Sequence, residues 1–518
     1  NSGESTAIKG VYKEFIENPY VGQADILTYT ERNILSIPFS SLHTFNNGNT
    51  NLEIKISPSI ARVYDKDFKK TIFEENPTGL QIAPNTTQNP SRLWRDLEED
   101  ALSSNIMLSF DLNSKKIDGK IKIGGAYTTK ERIYRTNNYE INYRVNPFST
   151  VGTLPLGGNA NNLLNSTFLY DINTNEGSYI KGSYQRTNQF DSEGKTMAGF
   201  LSAELIFSEK WKSTFGLRFE EYTIRYTGED IEGIKFNNQL LVDSSDFYPS
   251  INLIRTINDD INLRLSYSKS TARPSFKEAS AAQIFDPITE RYFLGNPNLK
   301  PAVSDNFDAY LSFAISGFYK IFNDPIEIGA NDANQPKIFI ARNNKEASVI
   351  GAEIELRKDI INTTKNKFSI NLNASVISSD LTMSEAEFTG RVISNPDKEI
   401  VSSRELQGQS PYLINSGIIY NSFENNVEIG AYYNVQGKTL EVVGIGNLPD
   451  VYTLPYHNLN LNISKSFGKN LDQSLTFKAE NLLNSKRESE YDYYNIETSP
   501  FSIYNPGQSF SLGYSIKF

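Results

Sequence analysis

The sequence predicts an all-β fold, a transmembrane antiparallel β-barrel of about 18 strands around a hydrated lumen. Three observations carry that expectation. Apolar and polar residues alternate with a period of two along nearly the whole chain. Short turns alternate with long, polar loops that carry aromatic residues. The composition is also unusual, with only 38% hydrophobic residues and a mean hydropathy of -0.44, yet 12% aromatics, including 29 Tyr and 31 Phe. A soluble core of this size would need more oil, whereas a barrel with a wet inner wall and aromatic girdles does not.

The same numbers exclude several classes. The 518 residues would suggest several domains in an ordinary globular protein. No Pro/Gly/Ser linker or charge block marks a boundary, so residues 1–518 read as one barrel domain. There is no cysteine, which removes disulfides, thiolate metal sites and cysteine nucleophiles. A net charge of -10 argues against a basic nucleic-acid surface. No run of about 18 apolar residues exists, so no membrane-spanning helix is proposed. The opening NSGESTAIKG has neither a Met nor an apolar signal core, and it reads as a mature chain or the tail of a longer one.

Taken in order, STAIKGVYKEF and ILTYTERNILSIPFSSLHTF read as long strands, joined by a segment holding Asn18, Pro19 and Gly22. The turn NNGNT follows, and then Leu52, Ile54 and Ile56 alternate with polar partners. Residues from about Phe73 to Asp100, including SRLWRDLEED, read as a long polar connection. Ile106, Leu108, Phe110 and Leu112 form the next apolar face, followed by a short turn at Asn113–Lys116 and the strand of Ile121 and Ile123. A Gly- and Asn-rich loop spans roughly Asn146 to Ser178. GFLSAELIF, the SEKW turn, and Phe215, Leu217 and Phe219 continue the rhythm. It then runs through YPSINLIRTI, INLRLSYSKS, FSINLNASVIS, NSGIIYNSF, VEIGAYYNVQG, HNLNLNISKSFG and SLTFKAENLL. The last strand, SFSLGYSIKF, sets Phe510, Leu512, Tyr514, Ile516 and Phe518 on one face. Charges cost less towards water than towards lipid, so Arg218, Glu220, Asn262, Arg264, Glu353, Glu355, Arg357, Asn371 and Asn373 should line the lumen.

Catalytic and metal chemistry has little to stand on. His43 and His457 are the only histidines, each within an alternating strand, and wall residues are the default reading over a metal pair or a general base. Glu98, Glu99 and Asp100 offer oxygen ligands but read first as a solvated loop end. Gly444 and Gly446 form a lone GxG without a following helix, so no phosphate loop is expected. Asn85 and Asn165 match the glycosylation pattern, as many Asn/Thr-rich loops do. No nucleophile, base and oxyanion group come together, so no catalytic residue, metal site or cofactor is expected.

Several segments carry a family resemblance: STARPSF (270–276), NPNLKPAVSDNFD (296–308), SGFYKIFNDPIE (316–327), NNKEASVIGAEIELRK (343–358), and NLNISKSFG with AENLLNSK within 458–486. With TERNILSIPFSSLHTF and SRLWRDLEED before them, they resemble TonB-dependent outer-membrane receptors, most of all the Bacteroidota branch. The resemblance implies a barrel of about 22 strands, an N-terminal plug in its lumen, and a short TonB-contacting segment before the plug. The count here is about four strands short and no plug is seen, as expected if the plug and first strands lie upstream. DNFDAYLSFAISGFYKIF should hold two strands but has no turn residues between Tyr310 and Ile315, which suggests residues missing there.

The implied function is import of a specific ligand (siderophore, peptide or other nutrient) across the outer membrane, energised by a TonB-type protein. Candidate ligand-binding residues in segments expected outside the cell are Trp94, Arg95, Arg291, Tyr292, Tyr491, Tyr493 and Tyr494, each of which could equally be a girdle or loop-packing residue. The final strand, ending on Phe518, resembles the signal read by the barrel-assembly machinery. A surface lipoprotein is a further conceivable partner. The family's glycan importers often carry a GxDPE-like stretch near the last loop, and ESEYDYYNIETSP departs from it. The alternatives are a passive porin and a structural or accessory barrel subunit of an envelope complex.

Overall fold

A membrane offers no water to unpaired backbone groups, so strands cross it only when laddered to neighbours. The computed structural model describes residues 2–517 apart from 15–19, 78, 83–88, 114–117, 145–158, 167, 184–185, 259–260, 287, 290, 312–314, 333–334, 336 and 494–498. Its main sheet has 22 strands, of which 18 make the wall. The other four, Phe39–Phe45, Gly79–Gln81, Gly177–Ser183 and Ser403–Arg404, are short extensions.

The wall strands are β1 (Ser2–Glu14), β2 (Tyr20–Ser36), β3 (Thr50–Asn76), β4 (Ser91–Asn113), β5 (Asp118–Arg144) and β6 (Phe190–Ser208). Next come β7 (Trp211–Glu229), β8 (Lys235–Thr256), β9 (Asn262–Ala272), β10 (Ala302–Leu311), β11 (Ile315–Asn323) and β12 (Glu346–Asn362). The last six are β13 (Asn366–Thr382), β14 (Tyr412–Ser422), β15 (Val427–Gln436), β16 (Tyr456–Phe467), β17 (Gln473–Glu480) and β18 (Ser509–Ile516). Each pairs antiparallel with the next, an up-and-down barrel wall. Among the described residues, β1 and β18 have no second neighbour in the wall.

Connections sort by length. Residues 46–49, 209–210, 363–365, 423–426 and 468–472 close one end tightly. Asn46, Asn47 and Gly48 all have positive φ, which explains why NNG occupies that turn. The opposite end carries 273–301, 324–345, 383–411, 437–455 and 481–508, with the five-residue turn 230–234 between β7 and β8 as an exception to the rule. The two strands expected in DNFDAYLSFAISGFYKIF are present as β10 and β11, and the segment joining them lies outside the described residues.

The faces follow the expected polarity. In β7, Phe215, Leu217 and Phe219 are exposed, while Glu220 on the opposite face is buried. There Arg218 Nε donates to Glu220 Oε2 at 2.8 Å. Two corrections concern extent. Several wall strands far exceed one membrane crossing: β3 and β5 have 27 residues each, about 90 Å of extended chain. SRLWRDLEED is the start of β4 rather than a loop. Its outer rungs are held by ions instead of oil: Arg62 meets Asp100 at 2.8 Å and Glu98 at 3.4 Å, Arg132 Nε meets Glu99 at 3.0 Å, and Arg95 meets Asp65 at 2.7 Å.

The loop 273–301 turns back into the mouth of the barrel. Its short helix Phe276–Ala279 starts with a capping box between Ser275 and Glu278. Phe276, Ala279, Ala281 and Ala282 pack on inward residues of four wall strands: Tyr134, Phe190, Ile224 with Tyr226, and Val242. Arg273, from the STARPSF segment, joins this anchor by pairing with Glu220 and lying 4.5 Å over the Tyr222 ring.

Candidate ligand-binding site at the long-loop end

The long loops build two small sheets above the wall. One combines Gln283–Asp286, Arg291–Leu294, Ile338–Asn343 and Ile326–Ala330; the other combines Thr439–Val442, Val451–Thr453, Arg487–Tyr491 and Ser499–Tyr504. They are joined edge to edge, since Ala330 N–H donates to the Val443 carbonyl at 2.9 Å and Val443 N–H to that of Ile328 at 3.3 Å. The two Asn-rich family segments meet beneath them: Lys300 N–H donates to Asn343 Oδ1 at 2.8 Å, and Asn343 Nδ2 to the Lys300 carbonyl at 3.0 Å.

An ion network locks the loops. Arg404 reaches Glu327 at 2.7 Å and Glu387 at 2.7 Å, with side chains only 7% and 2% exposed for Arg404 and Glu327. Arg391 continues the chain to Glu387 at 2.9 Å and Asp450 at 2.8 Å. Burial opposes the charge on Arg404, but its bonds to Glu327 and Glu387 outweigh that penalty and raise its pKa. Nearby, Tyr452 donates to Glu405 at 2.5 Å, and burial followed by that bond pushes the phenol well above its ordinary range. Gly444 of the GxG donates its N–H to Asp450 Oδ1 at 2.8 Å, so the pair serves a tight loop turn.

A half-buried aromatic cluster lies within this assembly. The Arg291 guanidinium lies 3.4 Å over the Phe501 ring and 5.8 Å from that of Phe339, and donates to the Phe501 carbonyl at 3.1 Å. Tyr491 meets Phe501 edge-on at 5.2 Å and Tyr493 at 5.8 Å. Tyr292 packs against Phe285 at 4.8 Å on the same sheet. Four of the sequence-expected residues, Arg291, Tyr292, Tyr491 and Tyr493, thus share one loop assembly.

Two others do not. Trp94 and Arg95 were expected in an outside loop but lie in β4, where ladder pairing on both sides holds the backbone extended. Trp94 packs edge-on to Tyr139 at 5.5 Å, and Arg95 is committed to Asp65. Tyr494, Phe518 and Asn85 lie outside the described residues. His43 bonds Ser41 at 2.8 Å within the short extension Phe39–Phe45, and His457 bonds Tyr433 at 2.7 Å within the wall. Among the described residues, no group of three metal-ligating side chains converges. Sequence reasoning missed Phe339, Phe501 and the Arg404 network; the only local hint was that Phe501 follows the tyrosine run.

A family model described as TonB dependent receptor-like, beta-barrel, matches residues 39–482. The chain belongs to the TonB-dependent receptor family. This receptor barrel therefore sits in the outer membrane, with its tight turns on the periplasmic side and its long loops outside. Receptors of the family import ligands and work with TonB. Over its whole length the chain is similar to the siderophore receptor PiuA from Acinetobacter baumannii (12% identity, TM-score 0.51, 77% of that chain covered). It is also similar to the pyoverdine outer membrane receptor FpvA from Pseudomonas aeruginosa PAO1 (11%, 0.57, 71%) and to the copper transporter OprC (12%, 0.54, 75%). At such identities the likeness is one of fold. No curated protein sequence matches the chain.

Proposed function

We propose that this receptor captures its ligand on the half-buried aromatic cluster around Arg291, Phe339, Phe501, Tyr491 and Tyr493. The observation that carries the reading is that Arg291 stacks on Phe501 from a loop 210 positions away in the chain, where Tyr491 of the same loop as Phe501 also packs. Rings and a planar cation bind large, partly conjugated or anionic ligands without metal chemistry. A plug and further wall strands upstream would fill the lumen and the gap between β1 and β18; a wall this wide without a plug would leave an open channel. TonB would then act on the plug, the final strand from Phe510 to Phe518 would be read by the barrel-assembly machinery, and a surface lipoprotein would be a compatible partner. No catalytic role is proposed.

The test measures binding and uptake separately in cells, using a panel of ferric chelates, copper, peptides and oligosaccharides. Arg291→Ala with Phe501→Ala should weaken surface binding of the cognate ligand by about 10- to 100-fold, at unchanged surface abundance. Removal of TonB should abolish uptake and leave binding intact. Full binding by the double variant would sink the assignment of the surface, and large ungated conductance of the purified receptor would favour a porin.

A further inference from the structure

The short strand Arg291–Leu294 carries a stripe that links the loop cluster to the mouth of the barrel. Side chains two apart share one face of a strand, so Phe293 stands beside Arg291. Parallel pairing sets Phe339 next to Phe293, and antiparallel pairing sets Asp286 opposite Arg291. Two cations flank the pair of rings. The Arg291 guanidinium lies 5.8 Å from the Phe339 ring, and the Lys277 ammonium lies 4.3 Å over that of Phe293. Phe276 and Ala279, on the same short helix as Lys277, are packed on the wall, which places Lys277 between the loop assembly and the lumen.

Lys277 is the uncommitted charge of this stripe. The residue is exposed, and among the described residues its ammonium has no ion-pair or hydrogen-bond partner. The carboxylates that act on it are Asp286 and Glu278, and both are occupied. Asp286 accepts from Thr289 Oγ1 at 2.7 Å and from the Ile288 N–H at 3.0 Å, while Glu278 accepts from the Ser275 N–H at 2.7 Å. The surroundings still withdraw enough water to lower the Lys277 pKa, and the Arg95 guanidinium pushes the same way. An ammonium held over a ring with its carboxylates already bonded can take an anion from outside at little cost. A cationic ligand would be repelled there, and a neutral one would gain nothing from the charge. We propose that Lys277 is a specificity-determining residue that reads an anionic oxygen on a ligand whose apolar or conjugated part lies along Phe293 and Phe339. The inference rests on the capture cluster proposed above and adds the charge class of what that cluster takes.

Matched probe pairs test this in cells carrying the full receptor. They are a ferric tris-catecholate against a ferric trihydroxamate, a uronic-acid oligosaccharide against its neutral counterpart, and an acidic against a basic peptide. The wild type should bind the anionic member of at least one pair about tenfold more tightly than its counterpart. Lys277→Met, which keeps the stem over Phe293, should weaken that member by about tenfold and leave the counterpart within about twofold. Lys277→Arg, which keeps the cation, should restore most of the affinity. Surface abundance and protease resistance of 273–301 should stay unchanged in both variants. Loss of that resistance in Lys277→Met would make the lysine a structural one and overturn the proposal. Preference for the neutral or basic members, no binding of any anionic member, or unchanged anionic binding in Lys277→Met would overturn it as well. Full binding by Arg291→Ala with Phe501→Ala would remove the capture cluster and this inference with it. Loss of binding there, with Lys277→Met unaffected, would remove the role of Lys277 alone.

Discussion

Arg404 illustrates how one side chain can fix loops that the chain order keeps apart. Removing it would strand Glu327, whose side chain is 2% exposed, without its cation. Breaking a buried pair in this way costs about 3–5 kcal/mol. Arg404→Ala should therefore make the segments 324–345 and 383–411 sensitive to limited proteolysis in a barrel that keeps its heat-dependent gel shift. Unchanged protease resistance would contradict the locking role. Tyr452 gives the same region a pH dependence. Its proton is held more tightly in the folded state, by burial and then by Glu405, so its contribution is whole below about pH 10 and fades as pH rises through the raised folded value. Tyr452→Phe should flatten the alkaline loss of protease resistance from about pH 10 upward; a variant that tracks the wild type would remove Tyr452 as the cause.

At the scale of the element, glycines in the wall are paired with rings. Gly351 of β12 stands opposite Phe318 of β11, and a Cβ there would come within 2.4 Å of the ring. Gly351→Val should cost about 1–3 kcal/mol through overpacking, read as a lower denaturant midpoint in detergent. Adding Phe318→Ala should recover part of that loss, and strictly additive effects would show that the ring and the glycine do not compete. Strands of this kind were legible in the sequence because alternation is local: Phe215, Leu217 and Phe219 announce their face within five residues. The start of β4 was not, because its rungs alternate ion with ion, and Glu98 and Asp100 look like a loop until Arg62 of the partner strand supplies the pairing.

For the whole molecule, the division into wall, tight turns and long loops could be read from the chain, and so could the count of wall strands. The loop site could be read only in part. Arg291 and Tyr491 stand out by residue type, but Arg291 bonds Phe501 across 210 positions and Arg404 bonds Glu327 across 77, distances over which no sequence pattern reports contact. The wall itself makes a further prediction. If upstream strands complete the ring in the full receptor, amides along both edges of β18 should exchange equally slowly with solvent. Rapid exchange of every second amide from Ser509 to Ile516 would mean that the last strand stays unpaired on one side.

The edge-to-edge seam between Ala330 and Val443 has a consequence for how such a receptor could change its diet. Loops that hang separately can be exchanged one at a time, like attachments. Here the seam and the shared arginines make five of them a single casting, so a graft of one loop from a relative would arrive with neither its stitch nor its counter-charge. Altered selectivity would come more readily from point changes on the finished rim, at rings such as Phe339 and Tyr493, than from swapping the pieces that form it.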